Sequence, residues 1–115
     1  MKQTILFQIL SDETRLRALA LMSREGELCV CELVQTLDVS QPKISRHLAA
    51  MRDAGIVVQR RHAQWMFYHI DPSLPDWQRS AIEAAVSGVE EEAVIKQDRH
   101  RLDAMKNRPD RISAA

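Results

Sequence analysis

The sequence predicts a mainly α-helical protein with one small β-hairpin, an α+β fold, and two patterns support this prediction. Before Gly55, apolar residues recur at the spacing of a helix, because Ile44, Leu48 and Met51 lie at i, i+4 and i+7. After Gly55, β-branched and aromatic residues become frequent, and residues 65–70 alternate as they do in a strand. A helical region followed by a single hairpin is therefore expected.

The order of the predicted elements is that of a winged helix-turn-helix. We expect the two helices and their turn over 30–54, with the first helix ending near Leu37 and the second beginning after Ser40. Pro42 agrees with this start, because proline is tolerated in the first turn of a helix. The hairpin over 56–70 then forms the wing.

The remaining predicted helices lie at the two ends of the chain and would form a dimer interface. A helical segment is expected over 74–106, where Ile82, Val86 and Val89 form an apolar seam at helical spacing. Such a seam is more often the core of a dimer than a cofactor site. Ile5, in a short N-terminal helix, is expected to join the same interface. We therefore predict a homodimer held by terminal helices.

Length and charge restrict the classes of protein that this chain could represent. The 115 residues suit one domain, placed at 1–106, with a disordered tail over 107–115. No apolar run approaches the roughly 18 residues of a membrane span, and the N-terminus does not resemble a secretory signal, so a cytoplasmic protein without a membrane partner is expected. The formal net charge is +0, but residues 40–70 carry five basic residues against one acidic residue. This local excess favours an anionic partner.

The second helix of the predicted motif carries the donors that DNA reading requires. A helix in the major groove presents short polar and basic side chains near its N-terminus, where the helix dipole also favours an anion. The candidate DNA-binding residues are Gln41, Lys43, Ser45, Arg46 and His47 on this helix, and Arg60, Arg61 and His62 at the hairpin tip. The alternative is an amphipathic helix with a solvated basic face.

Cys29 and Cys31 are the two cysteines of the chain. A reducing compartment and the strain of bridging such close neighbours argue against a disulfide, so they are either small buried hydrophobes or soft ligands. On a regular helix the two side chains would point about 200° apart, and an ion bound to both would deform the helix start. Thiolates favour soft ions such as As(III), Sb(III), cadmium and lead. Two sulfurs suit a three-coordinate centre whose third ligand comes from elsewhere.

Three segments resemble the ArsR/SmtB family of repressors, and in particular its arsenical-responsive members. The run Glu-Leu-Cys-Val-Cys-Glu-Leu at 27–33 is similar to their sensor motif, residues 40–48 are similar to the start of their recognition helix, and 65–68 resemble the second strand of their wing. The resemblance implies a homodimer that binds a two-fold-symmetric, double-stranded DNA operator. It also implies release of the operator when arsenite or antimonite binds Cys29 and Cys31.

The chain departs from the family pattern at positions that bear on the ligand. A third cysteine often follows the second by three residues, but Val34 stands there, so one chain does not supply three thiolates. Cadmium- and lead-sensing relatives add N-terminal cysteines, which this sequence lacks. Zinc-sensing relatives carry Asp, His and Glu ligands on the last helix. Asp98 and His100 resemble the start of that set, but no later histidine completes it, and we interpret His100 as a solvated residue.

Two alternatives to a metalloid-responsive repressor follow from the same residues. In the first, Cys29 and Cys31 are oxidised or modified, and the protein is a thiol-redox-responsive repressor on the same fold. In the second, the chain is a small thiol oxidoreductase. It has no C-x-x-C motif, no evident acid/base pair and no cofactor loop, so neither an enzyme nor a catalytic cofactor is expected.

Overall fold

A computed structural model describes residues 1–109, and this part of the chain consists of six helices and a small three-stranded antiparallel sheet. In chain order the elements are α1 (Lys2–Leu10), α2 (Glu13–Glu25), β1 (Leu28–Cys29), α3 (Val30–Leu37), α4 (Gln41–Asp53), β2 (Val57–His62), β3 (Trp65–Ile70), α5 (Asp76–Val89) and α6 (Ala93–Ala104). None of the helices within 1–109 has the length and apolarity needed to cross a membrane.

The predicted winged helix-turn-helix is confirmed. Helix α3 ends at Leu37, and Asp38 follows with a left-handed backbone (φ 55°) that turns the chain toward α4. Helix α4 begins after Ser40 and has a proline in its first turn. Its predicted apolar stripe (Ile44, Leu48 and Met51) is buried, and this burial fixes which side of α4 faces solvent.

One strand was not predicted, because two residues are too few to display an alternating pattern. Strand β1 pairs with β3, so that Leu28 lies opposite Tyr68 and Cys29 lies opposite Phe67. The strand order is β1-β3-β2. The start of α3 is therefore attached to the wing by backbone pairing.

The helical segment predicted over 74–106 consists of two helices that separate at residues 90–92. Three consecutive glutamates occupy this break. Carboxylates are unfavourable at the C-terminal end of α5 but favourable at the N-terminal end of α6, because the helix dipole changes sign between these ends. Glu92 accordingly has an extended backbone (ψ 140°) and precedes α6 as its N-cap.

The tail predicted to be disordered from residue 107 is attached to the domain over its first residues. Arg108 forms ion pairs with Glu25 at the end of α2 and with Glu32 in α3, and Pro109 is buried. These contacts were not expected, because they join residues that are far apart in sequence. Residues 110–115 of the predicted tail lie outside the described residues.

Candidate functional site

Four of the five predicted DNA-binding residues of α4 are exposed to solvent. They are Gln41, Lys43, Ser45 and Arg46. All four lie in the first two turns of the helix and away from its buried stripe. Backbone amides at a helix N-terminus and the helix dipole attract anions such as phosphates. This end of α4 is therefore accessible and electrostatically suited to DNA.

His47, the fifth predicted residue of α4, lies against the junction of α1 and α2. Its Nδ1 accepts a hydrogen bond from Nη1 of Arg15 at 3.2 Å, and its Nε2 lies 3.8 Å from the Asp12 carboxylate. Partial burial raises the pKa of Asp12, but the Arg15 amide and the nearby His47 and Arg15 outweigh it and lower that pKa overall. These contacts make His47 an anchor of α4 to the N-terminus of α2.

The basic residues of the wing lie on a strand and not at the hairpin tip, where they were predicted. Strand β2 continues to His62, opposite Trp65, and the two-residue turn consists of Ala63 and Gln64. Backbone pairing thus extends two residues beyond Arg60, where the predicted strand ended. Arg61 is exposed on β2 and remains accessible to a phosphate.

Arg60 is occupied by contacts with Glu27, which precedes β1, and with Phe67 of β3. Its Nε and Nη2 donate to the two oxygens of the Glu27 carboxylate at 2.9 and 2.6 Å, and its guanidinium lies 5.0 Å from the centre of the Phe67 ring. The hydrogen bonds with Glu27 raise the pKa of Arg60. A bidentate pair of this kind fixes the orientation of the guanidinium. We therefore assign Arg60 to attachment of the wing to the segment before β1.

Cys29 and Cys31 are joined by a disulfide, contrary to the expected free thiols. The expectation of free thiols rested on a reducing compartment and on the strain of bridging such close neighbours. The expected deformation of the helix start rested on both cysteines lying in one regular helix, and the two residues do not share such a helix. Cys29 ends β1 and is the N-cap of α3, with an extended backbone (φ −86°, ψ 161°), and Cys31 is the second residue of α3. Their Cα atoms are 5.4 Å apart, an ordinary separation for bonded cysteines. Bringing the two sulfurs together therefore requires no deformation of α3, which corrects the predicted distortion.

A cavity of about 460 Å³ lies beside the two cysteines and is shared by α3, α4 and the wing. Its walls are formed by Cys29, Val30, Cys31, Val34 and Gln35, by Gln41 and Ser45 of α4, and by Gln64, Trp65 and Met66 of the wing. The cysteines and two of the candidate DNA-binding residues therefore border the same space. The sequence pattern did not indicate the three wing residues, because their contribution depends on the strand pairing.

A buried carboxylate holds the backbone of Cys29. Glu32 is fully buried, and its Oε1 accepts the Cys29 amide at 2.8 Å. Its Oε2 accepts a hydrogen bond from Nε of Arg108, whose Nη2 also donates to Glu25 at 3.3 Å. Burial lowers the pKa of Arg108, but the two carboxylates raise it further, so the net direction is upward and the guanidinium stays charged.

Sequence reasoning missed both Glu32 and Arg108. The spacing of Cys29 and Glu32 is that of a capping box, in which the third residue of the helix accepts the N-cap amide, and this spacing could have identified Glu32. No local pattern marks Arg108.

Asp98, which resembles a zinc ligand of the zinc-sensing relatives, is instead paired with an arginine. Asp98 is buried and receives two hydrogen bonds from Arg17, at 2.9 and 2.8 Å, while Arg17 also donates to the carbonyl of Leu37 at 2.9 Å. His100 is exposed, as predicted. Within residues 1–109, no group of three or more His, Cys, Asp or Glu side chains could hold a metal ion.

The residues predicted for the dimer interface differ in exposure. The side chain of Ile5 is 46% exposed and available to a partner, whereas Ile82 is 3% exposed and belongs to the core of its own chain. Val86 and Val89 are half-buried. Phe7, at 59% exposure, was not predicted and extends the apolar surface of α1.

Comparison with known proteins identifies relatives of this chain. Residues 12–58 match the family model described as "Bacterial regulatory protein, arsR family". The arsenic resistance transcriptional regulator ArsR1 of Pseudomonas putida is 47% identical over 105 residues, which cover 91% of this chain and 80% of that protein. The arsenical resistance operon repressor of Escherichia coli is 50% identical over 80 residues, covering 70% and 68% of the two chains.

A solved structure supports the same relationship. The AntR antimony-specific transcriptional repressor matches with a TM-score of 0.63 and 27% identity over 76% of this chain and 77% of that chain. The relatives are transcriptional regulators, which confirms the prediction that this protein is not an enzyme. The resemblance noted in the sequence is also confirmed, and the chain belongs to the arsR family of bacterial regulatory proteins.

Proposed function

We propose that this chain is a cytoplasmic, DNA-binding repressor of a metalloid-resistance operon, released from its operator when As(III) or Sb(III) binds the reduced thiolates of Cys29 and Cys31. The observation that carries the proposal is the cavity shared by the two cysteines, the first turns of α4 and the wing. The names of the relatives, which refer to arsenic and antimony, support this class of ligand.

Metalloid binding begins from the reduced cysteines. Two equivalents of a small cellular thiol reduce the disulfide, forming two protein thiols and the disulfide of the small thiol. Arsenous acid, As(OH)₃, then exchanges two hydroxyl groups for two sulfurs, and each displaced hydroxyl leaves as water with one thiol proton. Soft As(III) favours sulfur over oxygen in this exchange. The third position is left to hydroxide or an external thiol, because Val34 offers only a hydrocarbon.

The two cysteines connect a ligand to both DNA-reading elements. Cys29 pairs with Phe67 in the wing sheet, and Cys31 lies in the first turn of α3, which packs against α4. A ligand that changes the position of the cysteines therefore changes how the wing and α4 are held relative to each other. Such a change couples metalloid binding to operator affinity through two arrangements of the domain.

We further infer a homodimer formed through the terminal helices. Ile5 and Phe7 on α1 and Trp77 on α5 are large apolar side chains exposed to solvent in the single chain. Reading a two-fold-symmetric operator requires two copies of α4 at a fixed spacing. Sedimentation equilibrium is expected to show a dimer for the wild type and a shift toward monomer for Phe7→Glu. A monomeric wild type would contradict this interface.

The deciding experiment measures operator affinity for the reduced wild type, Cys29→Ser and Cys31→Ser, with and without arsenite, antimonite, cadmium or zinc. Arsenite and antimonite should release the wild type, whereas both serine variants should bind the operator and stay bound. Val34→Cys is the complementary variant, because it adds a third thiol to the same cavity. This variant should release the operator at lower arsenite concentrations than the wild type. An unchanged arsenite response in both serine variants would refute the proposal.

The disulfide itself favours a second candidate, a thiol-redox-responsive repressor. Here hydrogen peroxide accepts two electrons and two protons from Cys29 and Cys31, forming the disulfide and two molecules of water. Operator release by hydrogen peroxide, without release by arsenite, would favour this candidate over the first.

A further inference from the structure

We infer that Arg108 is a positioning residue of the cysteine site, which acts through Glu32 to hold Cys29 in its extended conformation. The inference rests on the proposed function, because it gives the C-terminal segment a role at the proposed ligand site. Arg108 follows α6 and is separated from Glu32 by 76 residues, so the sensor would be assembled from two distant parts of the chain.

The two oxygens of Glu32 have separate partners. Oε1 accepts the amide of Cys29 at 2.8 Å, and Oε2 accepts Nε of Arg108. Glu32 is fully buried, whereas the Arg108 side chain is 29% exposed. A buried carboxylate that loses its cation is strongly destabilised and moves toward water or another partner. Removing Arg108 would therefore shift Glu32 and weaken the hydrogen bond that Oε1 accepts from the Cys29 amide.

The amide of Cys29 matters because the backbone at this position brings the two sulfurs together. Cys29 is the N-cap of α3, and its extended φ and ψ direct it toward Cys31 and not along the helix. If the backbone of Cys29 were held less firmly, the Sγ atoms of Cys29 and Cys31 would lie close together for a smaller fraction of the time. The effective concentration of one sulfur with respect to the other would therefore be lower. Both disulfide formation and binding of one As(III) by two thiolates depend on that effective concentration.

Arg101 offers a matched control within the same interface. Its Nη1 donates to the carbonyl of Thr36 at 3.4 Å, so it also joins the C-terminal part of the chain to α3. This contact lies near the end of α3 that is remote from the cysteines. Arg101→Ala therefore removes an arginine contact between the same parts of the chain but leaves the capping interaction of Cys29 in place.

The experiment compares full-length wild type, Arg108→Ala, Arg108→Lys and Arg101→Ala. In one measurement, each protein is equilibrated with oxidised and reduced glutathione, and the ratio of protein disulfide to protein dithiol is determined. In this equilibrium, one glutathione disulfide and the protein dithiol give the protein disulfide and two molecules of reduced glutathione. A second titrates the reduced protein with arsenite and follows the absorbance of the arsenic-thiolate bonds. Urea unfolding of each variant shows whether it is folded under the conditions of both measurements.

Arg108→Ala should weaken arsenite binding about tenfold, the lower end of the effect seen when the hydrogen bonds that orient a metal ligand are disturbed. It should also shift the glutathione equilibrium toward the dithiol by a similar factor. Arg108→Lys should restore part of both losses, and Arg101→Ala should change neither. An unchanged glutathione equilibrium in Arg108→Ala, or an equal change in Arg101→Ala, would overturn the inference. Failure of the wild type to bind arsenite would refute the proposed function, while the glutathione measurement would still test Arg108.

Discussion

Helices α3 and α4 are neighbours in one motif, yet their polar residues are placed in opposite ways. On α3, Glu32 and Thr36 are buried. The Glu32 carboxylate accepts a hydrogen bond from Arg108, and the backbone carbonyl of Thr36 accepts one from Arg101. On α4, polar residues such as Lys43 and Arg46 are exposed. Both helices bury apolar residues, but α3 is held in addition by charged contacts, whereas α4 keeps most of its polar side chains accessible.

This contrast separates two kinds of mutational effect. Substitutions of the charged contacts around α3 should mainly change the free energy of unfolding, since each leaves a buried group without its partner. Substitutions on the exposed side of α4 should mainly change operator affinity, since surface replacements rarely alter stability by more than about 0.5 kcal/mol. His47 is the exception on α4, because its ring contacts Arg15 and lies beside Asp12.

The largest expected effect is the loss of the buried ion pair between Arg17 and Asp98. Asp98→Ala should lower the free energy of unfolding by about 3–5 kcal/mol, because it leaves the mostly buried Arg17 without its carboxylate. Urea unfolding measures the change. Asp103→Ala is the control, since Asp103 is 57% exposed and pairs with Arg24 at 3.2 Å. That surface pair should contribute at most about 1 kcal/mol. Equal losses in the two variants would contradict the assigned role of the buried pair.

The next effect tests the exposed side of α4. Arg46→Ala should weaken operator binding by about 1–3 kcal/mol if its guanidinium contacts a base edge, while leaving unfolding within about 0.5 kcal/mol of the wild type. Fluorescence anisotropy with a labelled operator measures the affinity. Arg52→Ala, an exposed arginine in the last turn of α4, is the matched control. A loss of stability comparable to the loss of affinity would break the proposed contrast between the two helices.

A smaller effect concerns Asp12, the N-cap of α2, whose carboxylate accepts the Arg15 amide at 3.0 Å. Asp12→Ala should cost about 1 kcal/mol of stability at neutral pH. Because the pKa of Asp12 is lowered from 3.8 in the folded state, its contribution is present above pH 3.8 and is lost as pH falls through the folded value. Urea unfolding at several pH values should therefore show the two proteins converging in acid.

The adjacent acid provides a control for the cap. Glu13→Ala alters the first turn of α2 without removing the hydrogen bond to Arg15. A difference between wild type and Asp12→Ala that persisted unchanged below the folded pKa would show that the side-chain charge is not responsible.

The smallest expected effect distinguishes the two arginines of β2. Arg61→Ala should reduce the slope of operator affinity against salt concentration by about one unit, as expected for one lost phosphate contact. Its free energy of unfolding should be unchanged. Arg60→Ala should instead destabilise the wing, because Arg60 is bonded to Glu27. Identical salt slopes for Arg61→Ala and the wild type would exclude that phosphate contact.

Features that depend on residues close together in the sequence were predicted, whereas features that depend on residues far apart in the sequence were mostly missed. The order of the elements and the exposed residues of α4 follow from local periodicity, such as the spacing of Ile44 and Leu48. The disulfide was missed because bridging such close neighbours was expected to be strained, whereas Cys29 is the extended residue before the helix and its Cα lies 5.4 Å from that of Cys31. The pairing of Arg60 with Glu27 bridges 33 residues, and no local pattern indicates it.

The contact between Glu32 and Arg108 also has a consequence for the timing of biosynthesis. The carboxylate is synthesised 76 residues before the arginine that accompanies it in the folded core. At roughly 5–20 residues per second, this separation corresponds to several seconds of translation. During that interval the capping interaction of Cys29 lacks the contribution of Arg108, so a nascent chain on the ribosome would hold its cysteines less firmly than the finished protein does.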